Sequence, residues 1–283
     1  METSKRTVLI TGCSAGGMGA ALAKEFHAAG LSVIATARDT TKMAELKALG
    51  IATLQLDVQS ATSIAACVEK VPRLDILINN AGASYTMPVS DIDIAEARRL
   101  FDTNVWGCIA VTQAFLPLLM KSSQAVIVNH TSVGVGMSIP FQGVYNASKA
   151  AMSMFSKTMR LELEGFGIAA VNLKTGGVQT NIVKNIQARS PQLPKDSIYS
   201  PAREAVEAAL RSEWVEKRGM GITAEQWAKQ VVAELLKESP PAVVWKGESA
   251  WMASLLSWLP ARWFDGMVKK MTGLVEIEKI LKR

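Results

Sequence analysis

Two histidines, three cysteines and the lack of any long apolar run close off several functions before a motif is considered. With only His27 and His130, and no Cys-x-x-Cys pair, neither an imidazole nor a thiolate metal site is expected. Cys13, Cys67 and Cys108 are scattered and odd in number, so they imply no disulfide framework. They fit a reducing compartment as small buried apolar residues. No stretch reaches the ~20 apolar residues that a bilayer span needs. The start, residues 1–6, is short and polar and runs at once into strand-like sequence, without the apolar segment of a signal peptide. Basic residues interleaved with stacking aromatics on a recognisable module are also lacking, so no nucleic-acid partner is expected. No internal repeat or low-complexity linker divides the 283 residues.

What remains is the composition of one globular domain, 49% hydrophobic and 20% charged, at a length that an α/β sheet with a single core can reach. Short apolar runs at 7–11, 31–36, 51–56, 74–79, 125–129 and 168–173 read as strands, most of them continuously apolar as in strands covered on both faces. Helical stretches at 18–29, 40–49, 60–70, 92–120 and 145–165 alternate with them. That alternation predicts a doubly wound, mostly parallel α/β sheet of Rossmann type in residues 1–249, followed by an apolar and basic tail in 250–283.

The first strand ends in Thr11-Gly-Cys-Ser-Ala-Gly-Gly-Met-Gly19. Glycines there let the backbone approach a pyrophosphate, and the helix that follows supplies N–H groups and a positive dipole end. They do not fit Gly-x-Gly-x-x-Gly, and a tight turn alone would also use them. The second strand ends on Arg38, with Lys42 one turn on and the first acid, Asp39, behind the arginine. An acid at this place accepts from a ribose hydroxyl, whereas an arginine can hold a 2′-phosphate, so NADP(H) is expected over NAD(H). Asp57 closes the third strand and could face an adenine amino group, and Asn79-Asn-Ala-Gly82 closes the fourth with small residues suited to close approach.

Tyr145 and Lys149, four apart, share a helix face. An ammonium beside a phenol stabilises the phenolate, which suits a proton donor and acceptor for carbonyl–alcohol interconversion. Ser132, at the end of the apolar run from 125, can converge on the same oxygen. His130 shares a strand face with Ser132, which invites a Ser-His hydrolase, but no Gly-x-Ser-x-Gly elbow is present.

Together these residues resemble the short-chain dehydrogenases/reductases over nearly the whole length. The motifs are the turn from Thr11, Asn-Asn-Ala-Gly at 79–82, Asn104, Ser132 and Tyr-x-x-x-Lys at 145. The turn carries one residue more than the common form, and Thr175-Gly-Gly stands where the family has Pro-Gly after the sixth strand. The resemblance implies NADP(H) contacts at Gly12, Ser14, Gly17, Met18, Gly19, Arg38, Asp57, Val58, Asn80, Ala81, Gly82, Tyr145, Lys149, Val178 and Thr180. It implies a catalytic set of Ser132, Tyr145 and Lys149, with Asn104 anchoring a relay water, and a homo-oligomer.

A narrower resemblance, to the fungal NADPH-dependent 1-acyldihydroxyacetone-phosphate reductase group, rests on the sequence around Tyr145, on residues 175–182, on Ser197-Ile-Tyr199 and on the tail. The expected reaction is reduction of a ketone on a small lipophilic substrate. The alternatives are oxidation of a secondary alcohol in a steroid-, terpenoid- or polyketide-like metabolite, and a catalytically silent cofactor-binding scaffold.

Substrate choice is expected from a lid at about 181–222, the longest irregular stretch, with 84–88 and 133–141 beside it. Thr223 and Gln226 then read as a capping box. Of the net charge of +6, half falls after position 259, six cations against three acids, among Trp and Phe. That suits a helix lying in a membrane interface, although packing on the body is the alternative. The expected location is intracellular: cytoplasmic, or peripheral on an internal membrane or lipid droplet.

Overall fold

The computed structural model describes residues 5–256 and 261–282. In chain order the strands are β1 Thr7–Thr11, β2 Ser32–Ala37, β3 Ala52–Gln55, β4 Ile76–Asn79, β5 Ala125–Ser132, β6 Ile168–Thr175, β7 Val178–Gln179, β8 Ile222–Thr223 and β9 Val243–Lys246. The helices are α1 Met18–Ala28, α2 Ala44–Ala48, α3 Ala61–Val68, α4 Ile94–Phe101, α5 Gly107–Leu119, α6 Gly143–Glu162, α7 Asn181–Arg189, α8 Arg203–Leu210, α9 Glu213–Lys217, α10 Ala224–Leu235, α11 Ala250–Leu256, α12 Asp265–Thr272 and α13 Leu274–Leu281.

Seven strands form one sheet in the order β3-β2-β1-β4-β5-β6-β9, and every pairing in it is parallel. The central runs are continuously apolar because alternate residues enter two different cores. Val8 and Ile10 pack with Phe26 and Trp227 on one face, while Leu9 and Leu77 pack with Phe115 on the other. The winding reverses between β1 and β4, so the crevice for a ligand opens at the carboxyl ends of those two strands. At the opposite end buried Asp75 accepts from Thr7 N at 2.7 Å and from the Ser122 hydroxyl at 2.6 Å, tying β1 to the end of α5.

Several elements differ from the sequence expectation. The helix expected over 92–120 is broken by a π-helical turn, Asp102–Trp106, between α4 and α5. Strands β5 and β6 run past 129 and 173 to Ser132 and Thr175, and β7, β8 and β9 are additional. The lid is part helical: α8 and α9 form the amphipathic piece expected at about 202–217, α7 is an additional helix, and 190–199 is irregular, each helix being nine residues or fewer. Such short helices depend on packing more than on a visible period, and here Val206 and Leu210 supply it by entering a cluster with Phe141 and Leu193.

Among the described residues the tail holds three short α-helices and a 3-10 turn, Ala261–Trp263. Gly273, at φ +80°, separates α12 from α13, and buried Ile277 seats α13 in the lid's cluster. Residues 257–260 of the apolar tail stretch, Pro260 among them, lie outside the described residues, as do residues 1–4. Among the described residues no helix is long and apolar enough to cross a membrane, and no group of three or more His, Cys, Asp or Glu could hold a metal.

Candidate active site

The glycine-rich turn joins β1 to α1. Gly12 takes φ +74°, and a Cβ on it would stand 2.8 Å from the Ala81 Cα, so this place needs glycine twice over. A Cβ on Gly19 would meet the Gly12 oxygen at 2.5 Å. The turn is pinned from the β4 end: Asn80 Nδ2 donates to the carbonyls of Thr11 at 2.7 Å and Gly12 at 3.1 Å. The Thr11 hydroxyl accepts from the backbone N–H groups of Asn80 and Ala81 at 3.0 and 2.9 Å.

Against this turn opens a cavity of about 1050 Å³. Of the residues expected to touch a dinucleotide, Gly12, Ser14, Gly17, Met18, Arg38, Val58, Asn80, Ala81, Gly82 and Thr180 line it, and Lys42 joins Arg38 on its wall. The others lie off the lining. Gly19 is packed under the turn, Asp57 Oδ1 accepts from Gln59 N at 3.0 Å, and Val178 pairs with Ile222 in the small β7–β8 sheet. The cavity's size and its glycine cradle fit a dinucleotide, and the cations on its wall suit phosphate.

The lid expected at 181–222 and the segment expected at 84–88 supply a second part of the lining, through individual residues that the sequence did not single out. Ile182, Asn185, Ile186 and Arg189 of α7 face the cavity at helical spacing, opposite Glu96, Arg99 and Thr103. Helix α7 is held at both ends. The Asn181 amide donates to the Ala15 carbonyl at 3.0 Å, and the Arg189 guanidinium donates to the Ser84 carbonyl at 3.2 Å. The i, i+3, i+4, i+7 spacing was the available signal, in a segment whose prolines suggested irregular chain.

Ser132, Tyr145, Lys149 and Asn104 lie outside the cavity lining, and two of them, Asn104 and Lys149, approach it at Gly82. A Cβ there would stand 3.3 Å from Asn104 Oδ1 and 3.5 Å from Lys149 Nζ. Asn104, in the π turn, accepts from Ala83 N at 2.8 Å and donates to the Ala83 carbonyl and the Ser148 hydroxyl, both at 3.0 Å. Ser148 in turn donates to the Tyr145 carbonyl at 2.7 Å. Asn104 therefore bonds across to another segment and not only within its own helix, in keeping with π turns at functional places. Ser132 Oγ accepts from Gly134 N at 3.1 Å and hydrogen-bonds the Tyr145 side chain.

The electrostatics differ from the sequence expectation. Burial pushes the Tyr145 phenol above its ordinary pKa, and the group opposing that rise is the Ser132 hydroxyl, not Lys149. The Lys149 ammonium sits 5.9 Å from the Tyr145 ring centroid and donates to the His130 carbonyl at 2.8 Å, while burial lowers its own pKa. His130 forms no dyad with Ser132: its ring nitrogens meet Asn80 Oδ1 and Thr175 Oγ1. The elbow that a serine hydrolase needs is missing from the sequence, and the imidazole it would use is engaged elsewhere.

The short chain dehydrogenase family pattern matches residues 6–191. A short-chain dehydrogenase/reductase of Pestalotiopsis microspora is 51% identical, over 99% of this chain and 98% of its own. The NADPH-dependent 1-acyldihydroxyacetone phosphate reductase of Schizosaccharomyces pombe is 35% identical, over 97% of this chain and 96% of its own. The crystal structure of a short-chain dehydrogenase from Streptomyces avermitilis superposes with a TM-score of 0.75 at 26% identity, covering 99% of each chain. Identity of this extent over nearly the whole chain places it in that family.

Proposed function

We propose that this chain, which belongs to the short-chain dehydrogenase family and is an oxidoreductase, reduces a ketone of a lipophilic substrate to the alcohol with NADPH. The observation that carries the reading is the approach of Lys149 Nζ to Gly82 of a glycine-cradled cavity, with the Tyr145 ring 5.9 Å from that ammonium and Ser132 beside Tyr145. Bound NADPH would supply the hydride to the carbonyl carbon.

The chain's own groups do the rest. Gly12, Ser14, Gly17 and Met18 give the phosphates close backbone approach, and Arg38 with Lys42 receives the 2′-phosphate. Ser132 donates to the substrate carbonyl oxygen, and Tyr145 delivers the proton that completes the alcohol. Lys149 returns a proton toward the phenolate, and Asn104 keeps a second lone pair on Oδ1 for a relay water. Burial keeps the phenol in its acid form, the form a proton donor needs. NADPH dependence is also supported by the NADPH-dependent relative from Schizosaccharomyces pombe. A lipophilic substrate is supported by the apolar cluster of Met87, Phe141, Leu193 and Tyr199 beside the cavity, where Met87 N donates to the Phe141 carbonyl at 2.8 Å.

The test is NADPH oxidation across a panel of lipophilic ketones by the wild type and Tyr145→Phe. Turnover with the accepted ketones should fall at least ~10²-fold in the variant, the range for loss of a general acid. Near-normal turnover in Tyr145→Phe would sink the mechanism.

We also infer a peripheral contact with an anionic lipid surface through the tail. It is supported by exposed Trp251, Leu255, Trp263 and Met267, set among Arg262, Lys270 and Lys282.

A further inference from the structure

His130 takes part in none of these steps, yet four elements meet on it. It lies in β5 on the strand face of Ser132 and is 7% exposed. Its Nδ1 stands 3.0 Å from Asn80 Oδ1, and its Nε2 stands 2.7 Å from Thr175 Oγ1 at the end of β6. The Trp227 ring of α10 stacks on it, with centroids 5.2 Å apart and planes 21° apart. Its main-chain carbonyl accepts from Lys149 Nζ, in α6, at 2.8 Å.

The bonding pattern fixes the tautomer. Both Asn80 amide hydrogens go to the carbonyls of Thr11 and Gly12, so Asn80 Oδ1 is the atom facing His130 and can only accept. The proton between the two residues therefore sits on Nδ1, and Nε2 of the neutral ring accepts from the Thr175 hydroxyl. The surroundings agree. An amide, a hydroxyl and an indole face the ring, with the Lys149 ammonium behind the carbonyl, and among the described residues no carboxylate hydrogen-bonds it. Burial, with a smaller push from Lys149, takes the imidazole pKa down to about 3.

The ring thus acts as a strut between Asn80 and Thr175, and by fixing the residue in β5 it sets where the main-chain carbonyl meets Lys149. On one side it ends, through Asn80, on the Gly12 carbonyl of the nucleotide turn. On the other, its own peptide carbonyl ends on Lys149. The Thr175 hydroxyl is the donor that Nε2 of the neutral ring needs, so the histidine and the threonine work as a pair. We propose that His130 is a positioning residue that holds the nucleotide turn and the proton-returning lysine in one register, a role that rests on the reading of Gly12 and Lys149 given above. Without the ring, the half-buried Asn80 Oδ1 loses its donor, and the amide that pins the turn is held only through its Nδ2.

The test uses Thr175→Val, which exchanges the hydroxyl for a methyl group, Thr175→Ser, which keeps it, and His130→Val. NADPH and, separately, NADH are titrated into each protein by quenching of tryptophan fluorescence, and kcat and the ketone KM are measured. Thr175→Val and His130→Val should each weaken dinucleotide binding and lower kcat by about tenfold, the factor set by one buried hydrogen bond, with the ketone KM unchanged. Thr175→Ser should return both to wild-type values. The proposal is overturned if the variants lose only thermal stability, with affinity and kcat intact, or if Thr175→Ser behaves like Thr175→Val. Should His130→Val not fold, the Thr175 pair decides alone. If the wild type binds NADH and not NADPH, the cofactor choice above fails while the strut is still scored on NADH. Binding of neither dinucleotide overturns both.

Discussion

Arg38 leaves β2 on the cavity wall, and the acid beside it is turned to another use. The Asp39 carboxylate accepts from the Thr41 hydroxyl at 2.6 Å and from Thr41 N at 2.9 Å, and these bonds hold it below the usual carboxylate range. A carboxylate locked onto its own turn is poorly placed to serve a ribose hydroxyl, and among the described residues no acid pairs with Arg38. Arg38→Asp should therefore raise the KM for NADPH by about tenfold or more, since a charge-assisted contact is lost and a repulsive one made. Steady-state kinetics with NADPH and NADH check it, and a variant that keeps its NADPH preference refutes the assignment. Arg38 could be picked out in the sequence because its place follows from the strand that ends on it. Arg189 could not, because its arrival at Ser84 depends on the direction of a nine-residue helix with no fixed neighbour in sequence. The bond between His130 and Thr175 was likewise hidden, since it joins residues 45 apart.

Among elements, legibility followed length and local chemistry. The inner strands could be read because both faces are buried and their runs are continuously apolar, and α6 because twenty residues give its period room. Strands β7 and β8, two residues each, form where Gly177 and Gly221 let two loops approach, which no periodicity records. The capping box of α10 was legible from four residues. Thr223 accepts from Gln226 N, and Gln226 Oε1 accepts from Thr223 N, both at 3.2 Å. That cap anchors the helix carrying Trp227 onto His130. Thr223→Ala should lower the unfolding free energy by about 1 kcal/mol through the unsatisfied first-turn amide, with a shifted midpoint and unchanged slope in urea. An unchanged midpoint would mean that Trp227 packing alone holds the helix.

Across the whole molecule, the tail separates into an inward and an outward face. Val268, Thr272 and Ile277 are buried, and Ile277 shares a cluster with Phe141, Val206 and Leu210 of the substrate side. Removing 250–283 would open that cluster, so truncation cannot tell a packed tail from a lipid-binding one. The outward face can. Trp251 and Trp263 are 69% and 66% exposed, and replacing them removes little packing. Trp251→Ser with Trp263→Ser should leave stability within about 0.5 kcal/mol, as surface substitutions do. NADPH oxidation on a short soluble ketone should also hold. Sedimentation with anionic vesicles should be lost, because interfacial indoles and neighbouring cations act together there and salt screens only the charge part. A wild-type protein that stays in the supernatant, or a double variant that pellets as well as the wild type, would leave the tail as a packing element whose work is to close the substrate side of the fold.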